Sequence, residues 1–565
     1  MKFGGLKSFA DSKRVKYGTV NIIFIAMIIA IAIVLNSIVT VLSDTFNWRL
    51  DMTEEQLYTV SDELVSKLED VSENIELDII FGCDKDEAEL NFTDLESGNA
   101  LSYIHSTATQ LAEKMDNVSV VYCDPVRDYE FMKKFTTVGT QIKPSESTVT
   151  IARRGANGEY GTHYRTYHAQ SFYTFAESDG VDSFLYGYNG EMIFATAILS
   201  LTYDKIPTVY FTYGHGESLA YKNSSGKTQL PEIIKLFLNS GFEGRYIDLS
   251  DEQFTCETKG CGQTYGTIDV DFEQTYFKCI SCSKEYRTDE LKDKFTEDRQ
   301  IPSDARMIVI NQPDEADFTS DELTKLGNYM VLDKGSVMCF TSYDAELPVL
   351  YDFIATQTGV TVNYGDRIID DKSNMTLDKI DFRGNIASTS AASVYLGSLT
   401  DYGSSRPIFY NGATLTIDSK FMNEESEGYD DGSALRYTLP LIQTGATAEF
   451  GGRTGKHTVM SVTSLRTTKD NSPTYSYFVV CPSAGFVDDS YLQSNAYPND
   501  EIIYALIHSM TAAQTPANLD FKAFASYDLD ITRAESRTVM FSLILILPIL
   551  ISVCGFIVIR RRKLR

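Results

Sequence analysis

Residues 208–217 read TVYFTYGHGE, and residues 306–310 read RMIVI. The first stretch is an apolar run of strand length that stops at a tight Gly-His-Gly-Glu loop. Residues 230–239 then follow a helical pattern that ends before Gly241, a residue suited to a left-handed helix stop. Residues 245–249 give the next strand, and 306–310 another. Thr319-Ser320-Asp321-Glu322 opens a helix that runs to about residue 330. Residues 336–340 give a further strand. Strands that alternate with helices predict a parallel sheet covered on both faces, here over residues 205–400.

Working outward, residues 45–204 predict a smaller α/β domain. Ser61 caps a helix with Leu64, Leu68 and Val71 on one face. Strands at 75–81 and 118–122 enclose a helix at 101–115, which is a β-α-β unit. Residues 147–154 and 164–168 flank a glycine-rich turn and predict a hairpin. A helix over 191–201 leads to Pro207. Beyond residue 400 the pattern changes to short strands at 406–410, 458–462 and 476–481, then a helix at 500–511, giving a mixed α/β part over 401–530.

The charge is unevenly spread. The chain has 565 residues and a formal net charge of −28, with 50 lysines and arginines against 78 aspartates and glutamates. A strongly acidic body argues against a nucleic-acid surface, which must neutralise phosphates. Both tips are nevertheless basic, at 1–19 (Lys2, Lys7, Lys13, Arg14, Lys16) and at 560–565 (Arg560, Arg561, Arg562, Lys563, Arg565). Just inside them lie uncharged apolar runs at 20–42 and 539–559. Each is long enough for the roughly 30 Å hydrocarbon core of a bilayer at about 1.5 Å per helical residue. The first reads as a retained signal anchor rather than a cleaved signal peptide, since its apolar run is long and no small-x-small site follows. Basic flanks belong on the cytoplasmic side. The expectation is a bacterial cell-membrane protein with cytoplasmic N- and C-termini, two transmembrane helices in the lipid bilayer and an extracytoplasmic body.

Between the strands at 245–249 and 306–310 sits an insert over 251–300 with four cysteines. Cys256 and Cys261 have four residues between them, Cys279 and Cys282 have two, and seventeen residues separate the pairs. Two such knuckles match a zinc ribbon, because Zn²⁺ takes four thiolates in a tetrahedron and each short spacing lets one turn present two. A small insert with few aliphatic residues needs a staple of this kind. Structural zinc is the expected cofactor. Two disulfides are the alternative in an oxidising exterior, and free thiols a third. Cys339 and Cys481 lie in apolar strands and are expected in the core.

For catalysis the candidates are His215 and Glu217, at the carboxyl end of a strand where open α/β sheets bind ligands. No Gly-x-Ser-x-Gly elbow accompanies them, and Cys339 lacks the sharp turn that a nucleophile elbow requires. His215 is expected to hydrogen-bond within its loop, with contact to a ligand or partner as the second reading. The acid pairs Asp370-Asp371, Asp430-Asp431 and Asp488-Asp489 read as solvated loops rather than ion sites. No Gly-x-x-x-x-Gly-Lys-Ser/Thr loop is present, so the chain is not itself an ATPase of that type.

Several segments resemble the gliding-motility auxiliary family (GldG-like proteins, accessory components of ABC transporters). They are WRLDMTEEQLYTVSDEL at 48–64, TVYFTYGHGE at 208–217, the strand-helix-strand stretch at 301–340, PLIQTGATAE at 440–449 and the terminal ILPILISVCGFIVIRRRKLR at 546–565. The resemblance spans most of the chain, and the cysteine insert departs from the family's pattern. It implies a flavodoxin-like or class I amidotransferase-like second domain, and partnership with an ABC-2-type permease and a cytoplasmic ATPase. The fold expectation is therefore α/β: two outward-facing α/β domains, a zinc-ribbon-like insert and N- and C-terminal transmembrane helices. The functional expectation is a non-catalytic, membrane-anchored accessory subunit. The alternative is a membrane-tethered hydrolase or amidotransferase-like enzyme.

Overall fold

The computed structural model describes scattered positions between 27 and 37 and most of 57–524, with 231–372 as the longest unbroken run. The chain separates into Met1–Tyr58 and Thr59–Arg565, and every described strand belongs to the second unit.

The first sheet takes its order from helix α1 (Asp62–Ser72), β1 (Glu76–Phe81), α2 (Ser102–Lys114), β2 (Val118–Tyr122), β3 (Thr148–Arg154) and β4 (Tyr160–His168). Ser61 caps α1 by accepting the Leu64 amide at 3.2 Å. The strand order is β2-β1-β3-β4. β1 and β2 run parallel, joined through α2, and the remaining pairs are antiparallel. Asp78 is fully buried in β1, and Arg154 Nε donates to it at 2.9 Å and the Tyr160 hydroxyl at 2.6 Å. A buried carboxylate is tolerable only with such partners. The body's two ends are tied together: Lys522 Nζ lies 2.6 Å from Glu191 Oε1 and donates to the Thr59 carbonyl at 2.6 Å.

A buried helix, α3 (Gly190–Thr202), leads to the second sheet. Its parallel strands are β5 (Thr208–Thr212), β6 (Glu243–Ile247), β7 (Ala305–Asn311), β8 (Ser336–Phe340) and, far along the chain, β13 (Ser472–Cys481). Between β8 and β13 come β9 (Val360–Asn363), β10 (Thr414–Ile417), β11 (Leu435–Gln443) and β12 (Thr458–Lys469). The order across the sheet is β6-β5-β7-β8-β13-β12-β10-β9, with β11 also paired to β12. From β6 to β13 all neighbours are parallel, and the strands beyond are antiparallel. Numbered among themselves, the five parallel strands run 2-1-3-4-5, a doubly wound order. The sheet therefore draws strands from both sides of residue 400.

Alternate side chains on these strands point to opposite faces. Val209, Phe211, Met307 and Val309 pack with Ile233 and Phe237 of α4 (Glu232–Asn239) and with Ile503 and Leu506 of α7 (Asn499–Thr511). Tyr210, Ile308, Val337 and Cys339 face the other way. They pack with Leu323 and Leu326 of α5 (Ser320–Asn328) and with Leu350 and Ile354 of α6 (Pro348–Thr358). Both faces are thus covered, which is why the strands read as continuous apolar runs.

The expected membrane architecture is corrected. A span needs about 20 consecutive apolar helical residues. Among the described residues, no helix is long and apolar enough to cross a membrane. At 20–42 the described helical positions all fall between Met27 and Ser37, and 539–559 lies outside the described residues. The observed fold is a mixed α/β body with several sheets. The two transmembrane helices, the lipid-bilayer partner, the bacterial cell-membrane location and the extracytoplasmic placement of the body are withdrawn with the spans.

The aromatic seam under α4 offers a direct check. Phe237 is fully buried and meets Phe211 edge-on, with centroids 5.7 Å apart. Phe237→Ala is expected to cost about 3–5 kcal/mol in denaturant-melt stability. Leu332→Ala, at a side chain 68% exposed, is expected to leave the midpoint unchanged.

Candidate metal centre

After β6 the chain does not cross to β7 through a long helix. It builds an insert over 248–304 instead. Glu252–Thr255 pairs antiparallel with Thr264–Gly266 and with Glu297–Asp298, and Tyr276–Lys278 forms a hairpin with Glu285–Arg287. Each of the two hairpins carries one cysteine pair in its turn. Cys256 and Cys261 lie in the first turn, Cys279 and Cys282 in the second. All four sulfurs lie within 4.8 Å of one another.

Two close approaches cross between the hairpins. Cys256 Sγ is 3.5 Å from Cys282 Sγ, and Cys261 Sγ is 3.6 Å from Cys279 Sγ. A tetrahedral ion with metal–sulfur bonds of about 2.3 Å sets its sulfurs about 3.8 Å apart. The arrangement is therefore compatible with one ion held by both turns. All four are free cysteines. Cys256, Cys261 and Cys279 are buried, and Cys282 is half-buried. Phe254, Tyr265, Phe277, Tyr286, Leu291 and Phe295 surround them in a small core of the insert's own. Burial opposes ionisation of Cys256, but the Tyr286 hydroxyl and Thr258 prevail and lower its thiol to about 6. Burial pushes Cys279 up to about 12, a proton that a bound metal would displace.

His215 and Glu217 are also brought together, in a different role. Gly214 and Gly216 hold left-handed φ of 113° and 89°, and a Cβ on Gly216 would meet Asp314 Oδ1 at 2.3 Å. Only glycine lets the loops after β5 and β7 approach so closely. The Asp314 and Glu315 amides donate to the His215 carbonyl at 3.0 and 2.9 Å. Nδ1 of His215 lies 3.2 Å from Glu217 Oε1, and Nε2 lies 3.2 Å from Glu322 Oε1. Its ring stacks on Phe318 with centroids 3.8 Å apart. Despite burial, the two carboxylates raise His215 to about 9. Glu322 falls to about 2, burial being outweighed by His215 and Thr319, and Glu217 is lowered in the same way.

Sequence reasoning missed Glu322 as a partner of His215. Its visible signal was the Thr319-x-x-Glu322 capping box, which forms: the Thr319 amide donates to Glu322 Oε2 at 2.8 Å. Also missed was a cleft of about 590 Å³ at the carboxyl end of the sheet, lined by Gln312, Asp314, Asp317, Asp344, Glu346 and Ala484 among others. Cys339 and Cys481 are fully buried in β8 and β13. Asp431 is spent on Arg436 at 2.6 Å, and Asp488 caps the helix Asp489–Leu492.

No family model matches the chain, and no curated protein matches it. The transporter and gliding-motility assignments therefore receive no family support. Among solved structures, the chain is similar to one described as "mmIFT52 N-terminal domain", with 12% identity, a TM-score of 0.32, and coverage of 55% of this chain and 99% of that one.

The histidine clamp carries a pH prediction. Its folded value of about 9 lies above the ordinary 6.5, so its stabilisation is complete below 6.5 and is lost as pH rises through 9. Seen from Glu322, the same clamp is complete above 4.5 and is lost as pH falls through about 2. Protection of the amides at 214–217, taken as exchange relative to the intrinsic base-catalysed rate, is expected to fall between pH 7 and about 9.5. His215→Ala, which strands two buried carboxylates, is expected to remove the pH step and cost about 3 kcal/mol.

Proposed function

We propose that the four cysteines hold one structural zinc ion, and that the chain is a non-catalytic accessory subunit of an ABC-type transport complex. Its partners on this reading are an ABC-2-type permease and an ATPase. The zinc half is supported by the chemistry of the donor set. Four thiols from two separate hairpins converge in an apolar insert, and Zn²⁺ favours such closed thiolate tetrahedra with no open position. Cys256, Cys261, Cys279 and Cys282 would be the ligands. A closed site leaves no place for a reacting water, so the ion serves folding.

The non-catalytic half rests on the state of His215. A general base needs a free ring nitrogen facing a hydroxyl, thiol or water. Both ring nitrogens of His215 instead face carboxylates, at 3.2 Å each. The hydrolase or amidotransferase reading requires a nucleophile at one of those positions. The transport assignment draws on the resemblance of segments 208–217, 301–340 and 440–449 to the GldG-like proteins.

Two measurements test these halves separately. Metal analysis of the purified chain is expected to give about one zinc per chain, and chelation is expected to lower the melting temperature. Less than about half an equivalent overturns the zinc reading. Affinity purification of the tagged chain in mild detergent is expected to recover a permease and an ATPase with it. A chain that purifies alone under those conditions overturns the accessory reading.

A further inference from the structure

The two cysteine hairpins are copies of one pattern. Residues 254–265 read FTCETKGCGQTY, and residues 277–286 read FKCISCSKEY. In each, a phenylalanine stands two residues before the first cysteine and a tyrosine four residues after the second. The backbones agree as well. The amide of the first cysteine donates to the carbonyl two residues beyond the second: Cys256 to Gln263 and Cys279 to Lys284, both at 2.8 Å. The residue after the second cysteine is left-handed in both, Gly262 at φ 62° and Ser283 at φ 59°.

The tyrosines cross between the copies. The Tyr265 hydroxyl, from the first, donates to Cys279 Sγ at 3.1 Å and accepts the Ile280 amide at 2.9 Å. The Tyr286 hydroxyl, from the second, lies 3.1 Å from Cys256 Sγ and accepts the Glu257 amide at 3.0 Å. A hydroxyl that already accepts an N–H has its own proton free for the sulfur. Each tyrosine therefore grips the other hairpin at its first cysteine and the amide that follows. Both rings are buried, against Phe277 and Phe254 respectively.

The geometry points to Tyr265 and Tyr286 as paired positioning residues for the metal, each donating a hydrogen bond to a thiolate of the opposite knuckle. The inference rests on the zinc reading of the four cysteines. Its physical basis is charge. Four thiolates around one divalent cation carry a net double negative charge, and a buried anion needs donors aimed at it. Groups of this kind orient ligands and tune the metal, and their loss typically costs 10–100-fold in affinity.

The test uses the full chain as wild type, Tyr265→Phe, Tyr286→Phe and the double variant, with Tyr276→Phe as a control at an exposed ring. Phenylalanine keeps the ring packing and removes only the hydroxyl. Each chain is loaded with cobalt(II), and metal affinity is measured by competition with a chromophoric chelator. Each single variant is expected to lose about 10-fold in affinity, and the double variant more. Their sulfur-to-cobalt charge-transfer bands are expected to move to lower energy, because a thiolate without its donor gives up charge more readily. A purely packing role would leave those bands in place. Cys256 in Tyr286→Phe and Cys279 in Tyr265→Phe are expected to alkylate faster in the loaded protein. Wild-type bands and affinity in the double variant overturn the tyrosine assignment while leaving zinc intact. A wild-type chain that takes up no cobalt or zinc overturns the metal reading beneath it.

Discussion

The parallel strands β6, β5, β7, β8 and β13 must be covered on both faces, and the rest of the body follows from that constraint. Helices α4 and α7 close one face, and α5 and α6 close most of the other. The crossover from β6 to β7 is the exception, because the insert stands where a covering helix is usual. It is fastened where it leaves the sheet. Asp251 accepts the Thr267 amide at 2.8 Å through its side chain and the Arg299 amide at 2.9 Å through its carbonyl. The Tyr213 hydroxyl from the end of β5 reaches the same carboxylate at 3.5 Å. Lys325 of α5 donates to the Leu249 carbonyl at 2.6 Å, which pins the exit of β6 to its neighbouring helix. The aromatic core around the cysteines stays separate from the sheet's cores. An insert of that size with so few aliphatic residues has a small core to draw on, so a cross-link at its centre would add much to its stability.

Charged groups at both ends of the sheet share one logic. At the amino ends, Arg245 donates to Glu243 at 3.0 Å, and Asp304 accepts from Tyr210 and Thr208 at 3.2 Å each. At the carboxyl ends, His215 sits between Glu217 and Glu322. Buried charges in pairs add little net stability against an apolar alternative, but a missing partner is costly. Such networks therefore specify which loop meets which helix. His215 illustrates this: it ties the loop after β5 to the cap of α5 while its backbone carbonyl receives the loop after β7. A residue placed where doubly wound sheets bind ligands is here spent on holding three elements in register.

Local features were legible and long-range ones were not. The apolar run at 208–212, the stop at Gly241 and the cap at Thr319 follow from propensities over a few residues, and the structure has a strand, a helix end and a capping box there. The cysteine spacing likewise announced two knuckles. The pairing of β13 with β8 was beyond reach. Its partner lies more than a hundred residues upstream, and an antiparallel excursion intervenes that local pattern cannot distinguish from a separate domain. Glu322 stands in the segment that opens α5, and its two carboxylate oxygens divide: one faces the helix start and the other faces His215, a contact that no local pattern announces. The apolar runs near the termini carry the opposite lesson: uncharged length states a preference for apolar surroundings and does not by itself define a membrane span.

The duplication within the insert shows why the two knuckles tolerate unequal spacing. The first has four residues between its cysteines and the second has two, yet the crossed tyrosine contacts agree within 0.1 Å, 3.1 Å to sulfur in both and 3.0 and 2.9 Å from the amides. The extra residues must therefore bulge without moving either cysteine. Gly260 is where they do so. It adopts φ 83°, and a Cβ there would meet nothing within 4 Å, so the turn has open space at that position. What the geometry conserves is the distance from each second cysteine to its tyrosine, four residues in both copies. That segment is the arm that reaches across. The spacing inside a knuckle can vary because one turn absorbs it, whereas the arm cannot, because its length decides whether the hydroxyl arrives at the opposite sulfur.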